Sequence, residues 1–278
     1  MIHNIPIKKF LAIALLFAAA YFAGCFIAEA VNGGQTESAS ASADGNWGLS
    51  FQEEGKPPVA NATFDELKQY DAYYAENTEE KVIYLTFDCG YENGNTATIL
   101  DALKKHNAPA TFFVVGSRVP SYQAEIKRMH NNGHEIGNHT YEHKYLNKLN
   151  AAQIRSQIDR CNQTVAAVTG EVPALVRLPG GNKNNTVLAN INQPIIMWNI
   201  DTLDWKTRNA ASSVQKVLGS VKDGDIVLMH ELYTASGDAA VTLIPALTER
   251  GYQLVTVSEL ARFRGGLSNK GVYYSFPK

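Results

Sequence analysis

From Lys81 onward, short β-branched runs alternate with segments of helical periodicity, and that alternation restricts the fold more than any other feature of the chain. Val82–Phe87, Ala110–Val115, Ile195–Ile200, Asp225–Met229 and Tyr252–Val257 read as buried strands. Ile99, Leu100 and Leu103 mark a helix that ends before Asn107 and Pro109, because proline lacks a backbone donor and forces an extended turn. Ile154, Ile158, Cys161, Val165 and Val168 share one face of a second helix, with Asn150 as N-cap, Gln153 completing a capping box and Gly170 as the stop. Val214, Val217, Leu218 and Val221 give a third, and Ala239 to Arg250 a fourth that tolerates Pro245 near its start or at a kink. Repeated strand–helix units predict an α/β fold with a mainly parallel sheet, and over roughly 185 residues they suggest a barrel-like arrangement with the active site at the carboxyl ends of its strands.

The flanks read differently. Lys8–Lys9 precede an uncharged apolar run of 19 residues, Phe10 to Ala28, followed by the small-residue triplet Ala28–Glu29–Ala30. Residues 1–30 are therefore an export signal or an uncleaved membrane anchor, and Phe22–Ala23–Gly24–Cys25 adds a lipoprotein box as a third reading. All three place the body outside the cytoplasm, with membrane contact confined to this segment. Residues 31–45, rich in Ser, Ala and Gly, form a flexible linker, and 46–80 an amino-terminal extension expected to wrap the barrel. The catalytic domain is expected at 81–264 and a tail at 265–278. With 25 Lys and Arg against 27 Asp and Glu, nothing favours binding to nucleic acid. A monomer is expected.

Chemistry collects at the predicted strand ends. Thr86–Phe87–Asp88–Cys89–Gly90 closes the first strand, and His139–Thr140–Tyr141–Glu142–His143 follows the short segment Glu135–Ile136. Two histidines at i and i+4 can share one face of a helical turn and grip one metal, although the spacing alone is a weak signal. Arg177 ends another predicted strand, Asp204–Trp205 follow Ile195–Ile200, and His230 ends Asp225–Met229. Any one of these could merely solvate a rim. As a set they point to catalysis.

In order, these segments resemble the five motifs of the polysaccharide deacetylases, the NodB-type carbohydrate esterase family 4. Thr-Phe-Asp-Asp-Gly is matched by Thr86 to Gly90 except at Cys89, and His-Ser/Thr-x-x-His in full by His139 to His143. Arg-x-Pro-Tyr is matched by Arg177–Leu178–Pro179, with Gly180 in place of tyrosine. Asp201 to Trp205 match Asp-x-x-Asp-Trp, and Leu228–Met229–His230 match Leu-x-His. Asn46–Trp47–Gly48 and Tyr84 to Gly94 further resemble the muramic-acid deacetylases that prepare the spore-cortex lactam. The resemblance implies a distorted or incomplete (β/α) barrel and metal-dependent removal of N-acetyl groups from a cell-wall glycan. Peptidoglycan is the first substrate it suggests, with chitin oligosaccharides and acetylated xylan as alternatives. A glycan-binding module without catalysis is the opposing reading.

Carried over by motif, His139 and His143 hold a divalent metal, Asp88 is the general base oriented by Arg177, and His230 is the general acid held by Asp204. Backbone N–H near Pro179–Gly180 helps hold the oxyanion, while Trp205 and Leu228 line the acetyl pocket. Cys89 stands where the family carries a metal-binding aspartate. Either its thiolate completes a His-His-Cys shell favouring zinc, the reading preferred here, or it is a small buried filler.

Overall fold

The computed structural model describes residues 49–50, 59–60, 81–90, 94–261 and 264–277. The export segment and linker lie outside the described residues, as does nearly all of the amino-terminal extension. Of that extension, Leu49–Ser50 (β1) and Val59–Ala60 (β2) form a short antiparallel pair. Among the described residues no helix is long and apolar enough to cross a membrane.

The remaining chain runs β3 (Lys81–Cys89), α1 (Asn95–Lys105), β4 (Thr111–Val114), α2 (Gln123–Asn131), β5 (Glu135–Asn138) and α3 (Ala151–Thr169). It continues through α4 (Asn185–Ala189), β6 (Ile195–Ile196), β7 (Ile200–Asp201), α5 (Asp204–Thr207) and α6 (Ala210–Ser220). It ends with β8 (Asp225–His230), α7 (Thr234–Glu249), β9 (Tyr252–Leu254), α8 (Val257–Ala261) and β10 (Val272–Tyr273). The order β5-β4-β3-β8-β7 is parallel throughout, and β9 joins the amino-terminal half of β3. Beyond β5, Val176 bridges Asn138 to Ile195, and β10 pairs with β6. Ser275 then bridges Asp225 of β8, so the strands curl into a distorted parallel barrel.

β3 shows why the strands are apolar on both faces. Ile83, Leu85, Phe87 and Cys89 pack in one cluster with Ile99, Leu103, Leu243 and Leu247 of the outer helices. Val82 and Tyr84 face a second cluster with Phe113, Ile196, Ile226 and Phe276. Alternation sends successive side chains to opposite faces, and a parallel strand covered on both must be apolar on both. The same alternation turns Asp88 away from Phe87 and Cys89.

Several expectations need correction. Ile195–Ile200 is not one strand: Ile196 N–H donates to Val176 and Met197 N–H to Tyr273, whereas Asn199 N–H donates to Ile226, so the segment changes partners in mid-course. Tyr252–Val257 stops as a strand at Leu254, because Thr256 and Glu259 form a reciprocal cap: Thr256 N–H reaches the Glu259 carboxylate at 3.4 Å and Glu259 N–H reaches Thr256 Oγ1 at 3.3 Å. The fourth predicted helix begins at Thr234, with Pro245 in its later part. Arg177 follows a single bridging residue, Val176, not a strand. The described part of the expected tail, residues 265–277, packs on the barrel through Phe276. Phe276 is 3% exposed, stacks on Tyr273 with ring centroids 5.2 Å apart and meets Tyr84 edge-on. Gly224 packs so closely beneath it that a Cβ there would fall 2.1 Å from the Phe276 carbonyl oxygen.

Candidate active site

Asp88 sits at the carboxyl end of β3, opposite His230 of β8 in register. Its Oδ1 accepts from Arg177 Nη1 at 3.0 Å, and its Oδ2 lies 3.3 Å from His139 Nε2. The Arg177 guanidinium is fully buried and donates also to Thr86 Oγ1 at 2.7 Å and to the carbonyls of Ile196 and Met197 at 3.0 Å each. It lies 4.1 Å from the centroid of the Phe113 ring. Burial by itself would push the Asp88 carboxyl up, but interaction with His139, the Arg177 charge and hydrogen bond, and His230 outweigh it and hold the group below its ordinary value. Asp88 is therefore a carboxylate at neutral pH.

The histidine pair is not helical. His139 and His143 lie in a loop in which Thr140 (φ 66°) and His143 (φ 56°) are left-handed. The loop hangs from Asn138, the last residue of β5. Asn138 Oδ1 accepts from Thr140 N–H at 2.7 Å, while its Nδ2 donates to the Ile158 carbonyl and to Asn162 Oδ1 on α3. Thr140 Oγ1 in turn accepts from His143 N–H at 3.1 Å. The two imidazoles meet edge-on with centroids 4.8 Å apart.

The donor set fits a metal. His139 Nδ1 lies 3.0 Å from the Arg177 carbonyl oxygen, which can only accept, so the ring proton is on Nδ1. Burial pushes the His139 pKa down to about 4, the Asp88 charge opposing it only in part. At neutral pH the Nε2 lone pair consequently faces a carboxylate oxygen, an arrangement of two acceptors that a cation relieves. Cys89 is not brought into this group. Its side chain belongs to the apolar cluster on the other face of β3, and its thiol donates to the Phe87 carbonyl at 3.6 Å. Among the described residues no three of His, Cys, Asp and Glu gather as a metal shell. This packing favours the filler reading of Cys89 over the preferred ligand reading.

Beside β3, at the end of β8, Asp204 at the start of α5 is buried and accepts from the His230 backbone N–H and from His230 Nδ1, both at 2.8 Å. Burial disfavours the charged imidazolium, yet the Asp204 hydrogen bond and the charges of Asp88, Asp204 and Asp201 more than compensate, and the His230 pKa is raised. Trp205 is 46% exposed beside Asp204, Leu228 and Pro179 are buried, and Gly180 is exposed. Two supporting residues escaped the sequence reading: Asn138, for which adjacency to His139 is the one available signal, and Glu231. The buried Glu231 carboxylate accepts from Gly90 N–H at 3.1 Å and from the Thr96 hydroxyl, tying β3 and α1 to the residue after His230.

The family profile described as polysaccharide deacetylase matches residues 75–194. The peptidoglycan-N-acetylmuramic acid deacetylase PdaA of Bacillus subtilis is 37% identical over 223 residues, covering 77% of this chain and 85% of that protein. The chain belongs to the polysaccharide deacetylase family. The peptidoglycan-N-acetylmuramic acid deacetylase PdaC of the same organism is 41% identical over 181 residues, 65% of this chain, although the match spans only 39% of PdaC. Among solved structures, the family 4 acetyl xylan esterase of Clostridium thermocellum, in complex with a cobalt ion, is 35% identical. It superposes with a TM-score of 0.67, covering 71% of this chain and 100% of that one. The barrel is accordingly a deacetylase barrel, and its five motif segments carry the residues described above.

Proposed function

We propose that this chain hydrolyses N-acetyl groups of a cell-wall glycan, most directly peptidoglycan, releasing acetate and a free amine. One observation carries the reading: a base and an acid stand in register at the ends of the neighbouring strands β3 and β8, the base beside His139, and each is held by its own buried partner. His139 and His143 would hold a divalent transition metal, which when bound supplies Lewis-acid polarisation of the acetyl carbonyl and a more acidic water. Cobalt in the xylan esterase relative supports that class of ion, and imidazole donors suit zinc equally.

The residues of the chain then have separate tasks. Asp88, kept ionised and oriented by Arg177, takes a proton from the attacking water. His230, whose charged form Asp204 favours, gives a proton from its ring to the departing nitrogen, which an amide needs because an unprotonated amine leaves poorly. The Gly180 backbone N–H helps hold the developing oxyanion, and the glycine removes a side chain there without removing a donor. Trp205 and Leu228 bound the acetyl group. PdaC and PdaA are named as N-acetylmuramic acid deacetylases and PgdA of Listeria monocytogenes, also 41% identical, as an N-acetylglucosamine deacetylase, so the attacked residue is one of these two sugars of the wall, with export through residues 1–30 as the route to it. The protein would act there as a monomer.

The test is acetate release from purified peptidoglycan by metal-loaded protein, with product analysis of the digested wall. Asp88→Asn is expected to lower the rate by at least about 100-fold, the ordinary yield of a general base. Metal-loaded wild-type protein that binds peptidoglycan without releasing acetate would make the chain a binding module.

A further inference from the structure

Where the family pattern carries tyrosine, this chain has Gly180, and a ring from elsewhere stands over it. Gly180 is left-handed at φ 59° and ψ 14°, a conformation glycine adopts without penalty. A Cβ at that position would lie 3.0 Å from Tyr145 Cε1 and 3.6 Å from Tyr145 Cζ. Tyr145 reaches this place from the loop two residues after His143, and Gly180 directly follows Pro179 of the Arg177 segment. The ring joins two pieces of the site that are far apart in sequence.

Tyr145 is nevertheless 48% exposed. A ring supported by backbone on one part and open to water on the rest is poorly explained as core packing. The pyranose of a glycan presents apolar C–H groups on one face and hydroxyls at its edge, and a fixed aromatic face is the surface that recognises it. Lys148 Nζ lies 5.7 Å from the ring centroid, a separation that leaves this flexible cation free to swing aside. Trp205, 46% exposed, follows Asp204. Each half of the catalytic set thus has one half-open aromatic beside it.

We propose that Tyr145 is a substrate-positioning residue on which a sugar ring of the glycan stacks, and that the absence of a side chain at Gly180 is what makes room for it. The inference rests on the glycan reading given above and adds to it the residue that holds the sugar. Tyr145 supplies the aromatic face that residue 180 lacks.

The experiment compares wild-type, Tyr145→Phe and Tyr145→Leu proteins, metal-loaded, on the pentamer of N-acetylglucosamine, measuring acetate release and, separately, pentamer binding by calorimetry. Leucine fills the space above Gly180 without offering a flat π face, and phenylalanine keeps the face. Tyr145→Leu is expected to raise KM and Kd roughly five- to tenfold, the size of one lost stacking contact, with kcat changed less than twofold. Tyr145→Phe is expected to stay within about twofold of wild type in both, since the π face is retained. A Tyr145→Leu protein matching wild type in KM and Kd overturns the stacking role, as does a loss confined to kcat, which would mean that Tyr145 only shapes the His143 loop. Pentamer binding that weakens in Tyr145→Leu, with no acetate released by wild type from the pentamer or from purified peptidoglycan, overturns the deacetylase reading and leaves the stacking intact. No release from either substrate together with no binding of either overturns both.

Discussion

Replacing Arg177 by methionine tests whether the barrel is organised around a buried ion pair. The guanidinium is fully buried, and the Asp88 side chain beside it is 8% exposed. Methionine restores much of the volume against Phe113 but leaves the Asp88 carboxylate without its cation. Removing one partner of a buried pair costs about 3–5 kcal/mol. The carbonyls of Ile196 and Met197 also lose their donors, at about 1 kcal/mol or more each when buried. Apolar burial of the new side chain returns part of this, so the expected loss is about 5 kcal/mol, a third or more of the total stability of a typical domain. The sharper quantity is the coupling. Adding Asp88→Asn removes the stranded charge, so the double variant is expected to be about 2 kcal/mol more stable than Arg177→Met alone. Urea unfolding of chelator-treated protein, followed by circular dichroism, measures both numbers. An Arg177→Met protein within about 1 kcal/mol of wild type, or a double variant less stable than Arg177→Met, would refute the reasoning.

Asp204→Asn should lower the His230 pKa. Because that pKa is raised in the folded protein, the stability it contributes is full below the unfolded value near 6.5 and is lost as pH rises through the folded value. The same shift should move the alkaline limb of the acetate-release profile to lower pH in Asp204→Asn; an unmoved limb removes His230 as the acid. Cys89→Ala should leave the metal-to-protein ratio of dialysed protein unchanged while His139→Ala lowers it, as read by elemental analysis; a ratio that falls in Cys89→Ala restores the thiol as a ligand. Phe276→Ala should cost about 3 kcal/mol in urea unfolding, the usual loss for a buried phenylalanine. A loss below about 1 kcal/mol would mean that residues 265–277 add no more to stability than a tail.

The strand–helix alternation made the barrel legible because parallel strands covered on both faces must be continuous apolar runs, as Val82–Phe87 and Asp225–Met229 are. It failed where hydrogen-bond partners change without any change in composition. Ile195–Ile200 looks uniform, yet it leaves Val176 and β10 for β8 half-way along. Helix ends written in local chemistry, such as Asn150 with Gln153 and Gly170, were readable, and the reciprocal bonds across Asn150 and Gln153 are both present. Thr256 with Glu259 is the same kind of signal and was overlooked inside an apolar run. In the site, the residues proposed to act on the substrate were visible as motifs. Those that hold them, Asn138 and Glu231, were not, because a buried amide or carboxylate has no spacing rule of its own. The role of Cys89 turned on the alternation of one strand, a property that motif matching does not weigh.

The loop from His139 to His143 has a consequence for transplantation. Its two imidazoles keep the separation in sequence that a helix would use, but their directions come from two left-handed residues and from the amide of Asn138 anchored on α3. Grafted onto a helix of another scaffold, the same five letters would fan the rings along a cylinder and lose the angle at which they meet here. The portable unit is therefore the strand end, its asparagine and the helix that holds it. Sequence searches that score the histidine spacing alone would gather unrelated helices together with this loop.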